Sequence, residues 1–194
     1  KELRLAAQEF IVTTLWVFVS MCSTVSATEC LASCSRLGAS KPCPPPTLNV
    51  QVSLATGFAA GVANGLTFQV KGDQTGYFGG QFNPAVTLAL AMKGEMPLKR
   101  AMVFIFMQLL ASILAALLVL LTSGRQCLEE NFHMMSGAMA PSGVRILLQV
   151  IFSLFIVFVP LWAHQRRSMA VPVLVCFSYI AATLTGLPQL MDVP

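Results

Sequence analysis

The residues best suited to chemistry lie in one run, Gly79-Gly80-Gln81-Phe82-Asn83-Pro84-Ala85-Val86-Thr87. Asn83 suits a helix N-cap, Pro84 the first helical position, and Lys93 with Gly94 the C-terminal end. The helix so bounded has about ten residues and spans roughly 15 Å, half of a ~30 Å hydrocarbon core. A half-helix entering a membrane brings its N-terminus to the midplane, with unpaired N–H groups and about half a positive charge. Cations are repelled there. The backbone of 79–82 must turn its carbonyls to water or protein, because irregular backbone at depth is tolerated only along a cavity. Carbonyl acceptors, then the amide donors of Asn83, would therefore line that cavity. An interfacial amphipathic helix is the alternative, but Thr87 is the only polar side chain in the seven residues after Pro84. No nucleophile beside a base, no phosphate loop and no paired carboxylates occur, so catalysis is not expected.

The surrounding elements must hold this run inside a bilayer. The chain is 56% hydrophobic and only 10% charged, against roughly 25% charged in a soluble domain. Five apolar runs, at about 5–27, 50–70, 101–122, 146–163 and 170–186, have the length of membrane-crossing helices. The expectation is an all-α membrane protein, a single transmembrane domain over 1–194, with five transmembrane helices and one re-entrant half-helix at about 76–94. A soluble protein would need five core helices without a charged face. The first run is too long for a cleaved signal and should stay as a helix.

Charge orients the chain. With the N-terminus cytoplasmic, Lys1, Arg4, Lys71, Lys93, Lys99, Arg100, Arg166 and Arg167 lie inside, while Arg36, Lys41, Arg125 and Arg145 lie outside. The net charge of +4 is thereby explained without nucleic acid. Cys30, Cys34, Cys43 and Cys127 fall in the two outer loops and could form disulfides in any pairing, while Cys22 and Cys176 sit in or near helices. The first outer loop, at about 28–47, is expected to be an ordered cap. His133 and His164 are expected in loops, with no ligand cluster for a metal and no cofactor site. Glu9 is the one acidic residue in an expected span, which by default marks a functional site such as a proton relay.

The nine-residue run resembles the first pore motif of the aquaporin family, and its place between the second and third apolar runs agrees. The similarity extends through Glu9 and Thr13, through Ser53-Leu54-Ala55 with Gly57, and through Gln108. It implies an aquaporin-like right-handed bundle of inverted repeats, a pore lined by Gly79, Gly80, Gln81, Phe82, Asn83, Pro84 and Ala85, and a homotetramer with one pore per protomer. It implies passage of water or a small neutral solute across the lipid bilayer. It also implies that Glu9 holds loop N–H groups in place rather than carrying protons.

A family of inverted repeats should leave internal similarity. Residues 9–19 align without gaps on 149–159, sharing Ile11/Ile151 and the triplet Val17-Phe18-Val19/Val157-Phe158-Val159. The polar pair Glu9/Thr13 meets Gln149/Ser153, so Gln149 and Ser153 are expected to act as supports like Thr13 and Gln108. The first repeat would cover about 1–122 and the second, incomplete, about 146–194. Offsets of about 140 and about 120 carry the pore asparagine to about 223 or 203, so a second Asn-Pro-Ala motif is expected past Pro194.

Two departures bear on selectivity. Thr56 stands where strict water channels of the family carry a bulky aromatic at the outer constriction, which should widen the filter or leave closure to another residue. Thr56 packed against a neighbouring helix is the other reading. Gln81 stands where histidine is usual, so pH gating through that position is not expected. A non-conducting aquaporin-like structural subunit of a larger membrane complex is the competing reading.

Overall fold

A computed structural model describes residues 2–36, 45–67, 80–136, 142–165 and 170–190, with side chains described chiefly over 2–26, 50–67, 80–123, 147–162 and 170–184. The described residues form α1 (Glu2–Arg36), α2 (Pro45–Thr67), α3 (Pro84–Met92), α4 (Leu98–Ser136), α5 (Ser142–Gln165) and α6 (Val171–Leu190). The long helices alternate with one helix of nine residues, α3, which at 1.5 Å per residue is about half as long as a bilayer core is thick.

Several boundaries differ from those read from polarity. α1 continues to Arg36, α4 continues to Ser136 and α2 begins at Pro45, so much of the expected outer loops is helical. Residues 28–36 contain no glycine or proline, and polar residues such as Glu29 and Arg36 propagate a helix as readily as apolar ones. A fall in hydropathy marks where a span could leave the hydrocarbon, not where the helix stops. Cys30, Cys34, Cys127 and His133 therefore belong to helices, as does His164 in α5. The side chains of the four outer cysteines lie outside the described residues, as does all of Cys43.

The distribution of polarity identifies the solvent. Glu9, Thr13, Ser53, Thr87 and Gln108 are each at most 1% exposed, whereas Phe58, Val62, Phe106, Leu121, Phe158 and Phe177 all face outward. A protein dissolved in water would invert this arrangement; one surrounded by lipid keeps its polar groups for itself. Segments Glu2–Ser26 and Leu98–Ser123, with mean hydropathies of 1.6 and 2.7, are long and apolar enough to cross a membrane, and Val150–Val159 and Val171–Leu184 are shorter apolar stretches.

α1 packs on α2 and α4, α2 packs on α6, and α5 packs on α6, while α3 rests between α4 and α5. Close approach of α2 to α6 depends on glycine. A methyl group at Gly57 would strike the Ile180 side chain and come within 2.8 Å of the Cys176 carbonyl, and one at Gly61 would lie 2.7 Å from Cys176 Cβ. Small residues four apart let membrane helices touch backbone to backbone.

Candidate functional site at the start of α3

α3 is held at both ends by local chemistry. Asn83 caps it in an extended conformation (φ −136°, ψ 119°), its Oδ1 accepting from the Ala85 N–H at 2.9 Å. The Asn83 carbonyl accepts from the Thr87 N–H at 3.1 Å. At the other end Gly94 takes φ 80°, the Gly94 N–H donates to the Ala91 carbonyl and the Glu95 N–H to the Leu90 carbonyl. That pair of bonds with a left-handed glycine closes the helix as a Schellman motif.

The segment ahead of α3 is clamped from two sides. From α1, the Glu9 carboxylate accepts from the Gln81 N–H at 3.0 and 3.2 Å and from the Phe82 N–H at 2.5 Å. From α4, the Gln108 amide donates to Glu9 at 2.7 Å and to the Thr87 hydroxyl at 2.9 Å. Phe82 has φ 36°, which lets two successive N–H groups converge on one anion, the geometry of a backbone nest. A carboxylate fully removed from solvent is thus supplied with charge-assisted hydrogen bonds.

α2 holds Gly80. Its N–H donates to the Thr67 hydroxyl and its carbonyl accepts from the Asn64 amide at 3.1 Å. A methyl group there would lie 2.8 Å from Val12 Cγ2 and 2.9 Å from Thr67 Oγ1, so only glycine fits between α1 and α2. The carbonyl that sequence reading left facing water or protein therefore meets protein, at Asn64.

The third wall is α6. The Asn83 amide donates to the Tyr179 hydroxyl at 3.1 Å, and the Tyr179, Phe82 and Trp16 rings lie with centroids 5.2–5.6 Å apart. Trp16 Nε1–H in turn donates to the Thr56 carbonyl at 3.3 Å. These rings belong to a buried cluster with Val12, Ala60, Ala63 and Val175. Each aromatic contact of this kind adds about 0.5–1.5 kcal/mol to the burial of its surface.

The expected residues are distributed as follows. Gly80, Gln81, Phe82 and Asn83 come together with Glu9, Thr87 and Gln108, and Gly79 lies outside the described residues. Gln81 is buried, and its amide oxygen has no hydrogen bond among the described residues, which is also true of the hydroxyl of buried Thr13. Pro84 and Ala85 are exposed. Ala85 lines a groove of about 500 Å³ between α3 and α5 together with Leu88, Met92, Val150, Ser153 and Leu154. Ser153 is exposed there, unlike its expected counterpart Thr13, and the Gln149 side chain lies outside the described residues. Thr56 is 6% exposed.

Asn64, Thr67, Trp16 and Tyr179 were not singled out from sequence. A signal existed for three of them, because an Asn, a Trp and a Tyr inside apolar helices each carry a polar group that must find a partner at depth.

At the N-terminus of α1, the Arg100 guanidinium donates to the Glu2 carboxylate at 2.8 and 2.5 Å. Lys93 pairs with Glu95 at 3.1 Å.

Comparison with known proteins places this geometry. Residues 1–190 match the family model described as Major intrinsic protein. The chain is 28% identical over 156 residues to the probable aquaporin TIP4-1 of Oryza sativa subsp. japonica, covering 80% of this chain and 55% of that protein. It is 30% identical over 156 residues to aquaporin TIP4-2 of Zea mays, covering 80% and 54%. It is 32% identical over 111 residues to aquaporin-7 of Botryotinia fuckeliana, covering 57% and 23%. The chain thus spans about half the length of the plant relatives it matches.

Proposed function

The chain belongs to the major intrinsic protein family, an all-α membrane fold of channels rather than enzymes, and on that premise we propose that it is a passive channel for water or a small uncharged solute such as glycerol or urea, excluding ions and protons. The observation that carries the proposal is the half-length helix α3. Its N-terminal Asn83 is half-buried against α6, its side chain oriented by the Tyr179 hydroxyl and the Ala85 N–H, while Glu9 of α1 and Gln108 of α4 hold the turn ahead of it. A helix N-terminus there presents a fixed positive potential and an amide donor, which disfavour a cation and suit a neutral molecule with an oxygen acceptor.

The finer reading is a single transmembrane domain in two inverted repeats, with α1 and α2 matched by α5 and α6. The packing of α1 on α2 and of α5 on α6, with α2 and α6 in contact between them, supports it. A cytoplasmic N-terminus is supported by the basic residues Lys99 and Arg100 gathered with Glu2 at one end. Assembly as a homotetramer belongs to the same proposal, as do the pore-lining role of 79–85 with Thr56, the supporting roles of Glu9, Thr13, Gln108, Gln149 and Ser153, and oxidation among Cys30, Cys34, Cys43 and Cys127.

One observation favours the second reading, a non-conducting subunit: the three rings beside Asn83 are in mutual contact. Stopped-flow swelling of proteoliposomes in water, glycerol and urea gradients decides between the two. A channel raises at least one of these rates above protein-free vesicles. Rates equal to those of protein-free vesicles for all three would leave the structural subunit standing.

A further inference from the structure

Asn83 carries two amide protons, and the one directed at α6 is already taken. Its acceptor is the phenolic oxygen of Tyr179, 3.1 Å away, on a side chain that is 3% exposed. Asn83 cannot turn to offer the amide elsewhere at no cost, because its Oδ1 is engaged by the Ala85 N–H as the cap of α3. The Tyr179 ring is equally confined. It lies 5.6 Å from Phe82 at an interplanar angle of 46°, and 5.3 Å edge-on from Trp16 at 70°. Rings so spaced leave no room for a water molecule between them. Thr56, the small residue that leaves the outer constriction open in the sequence reading, is tied to the same cluster through the Trp16 indole.

We propose that Tyr179 is the specificity-determining residue of this channel at the level of Asn83. Resting on the channel reading above, the inference assigns Tyr179 two effects. Its hydroxyl competes with a permeating molecule for the Asn83 amide, so passage requires an oxygen acceptor able to replace it. Its ring, backed by Trp16 and Phe82, supplies the steric closure that Thr56 does not, so a water-sized acceptor passes where a polyol does not. A purely structural Tyr179 would affect stability without altering discrimination between solutes.

The test is paired water and glycerol permeability of the full-length protein in proteoliposomes, normalised to protein incorporated, for wild type, Tyr179→Phe, Tyr179→Ala and Tyr179→Leu. Tyr179→Phe keeps the ring and frees the amide, so water permeability rises about two- to tenfold, the range one neutral hydrogen bond supports, while glycerol stays at its wild-type value. Tyr179→Ala removes the ring, and glycerol permeability rises about tenfold or more, lifting the glycerol-to-water ratio. Tyr179→Leu, which keeps apolar volume, raises that ratio too and serves if Tyr179→Ala fails to elute as wild type does. Conduction by these variants with a silent wild type also supports the assignment. A conducting wild type whose ratio is unchanged in Tyr179→Ala and Tyr179→Leu overturns the assignment of Tyr179 and leaves the channel reading intact. Silence of the wild type and of every variant overturns both.

Discussion

Glu9 Oε1 lies 2.5 Å from the backbone nitrogen of Phe82, and Phe82 is the only non-glycine residue with positive φ among those described. A bulky residue in that region costs about 1–3 kcal/mol, and the charged acceptor opposite two converging N–H groups offsets it. Carboxylate and turn therefore depend on each other: without Glu9 the N–H groups of Gln81 and Phe82 lose their acceptor and the strain loses its compensation.

Glu9→Ala is accordingly expected to destabilise the protein by about 3 kcal/mol, the usual cost of leaving buried, charge-assisted partners unpaired. Glu9→Gln retains one acceptor oxygen and the volume and should lose less. Thermal unfolding in detergent orders the three proteins as wild type, Glu9→Gln, Glu9→Ala. Were Glu9→Ala to melt with the wild type, the carboxylate would not be what holds the turn.

This dependence shows which parts of the site were legible in sequence. Both ends of α3 were, because Asn83, Pro84 and Gly94 act on their own neighbours and need no tertiary partner. The contact of Asn83 with Tyr179 spans 96 positions, and no local pattern announces it. Asn64 and Thr67 reach Gly80 across 16 and 13 positions, and no local pattern of residue types pairs these positions with one another. The ends of α1 and α4 were misplaced for a different reason: hydropathy reports the solvent beside a residue, whereas helix termination is a property of backbone and capping residues.

Asn83→Asp places a carboxylate where the positive end of α3 and an amide donor now stand. Offsetting about half a unit of positive charge with a full negative one should lower the barrier to cations. Planar bilayers carrying the variant are expected to pass monovalent cations above the wild-type floor. Ion conductance held at that floor while water still flows would place Asn83 away from the pathway.

The α2–α6 seam gives a graded prediction. Gly57→Ala and Gly61→Ala push a methyl group into Ile180, Cys176 or the Pro172 carbonyl, whereas at Gly65 the nearest atom is 3.6 Å away, ordinary contact. The first two should each cost about 1–3 kcal/mol by overpacking, and Gly65→Ala should be near neutral. Melting temperatures in a single detergent test the order. A loss at Gly65 equal to that at Gly57 would mean that helix flexibility, and not the close approach to α6, is what glycine provides.

Thr56→Phe is expected to restrict glycerol more than water, and its basis lies in the position of Thr56 along α2. Thr56 lies two helical turns, about 12 Å, from Asn64, which holds Gly80, and its carbonyl receives the Trp16 indole N–H. A phenylalanine here adds an aromatic ring on the helix turn that the Trp16 indole contacts, next to the cluster of Trp16, Phe82 and Tyr179 to which the proposal assigns the closure. Because Thr56 is 6% exposed, the larger side chain must displace packed neighbours, and a stability loss of about 1–3 kcal/mol accompanies the change in selectivity. Both readouts come from one preparation: thermal unfolding in detergent, and stopped-flow permeability to water and glycerol at matched reconstitution density. Any wild-type glycerol flux should fall by a larger factor than water flux, because steric closure acts first on the solute of greater cross-section. Equal losses of the two fluxes, or a drop in stability with neither flux changed, would place Thr56 in the packing of α2 against its neighbours and outside the constriction.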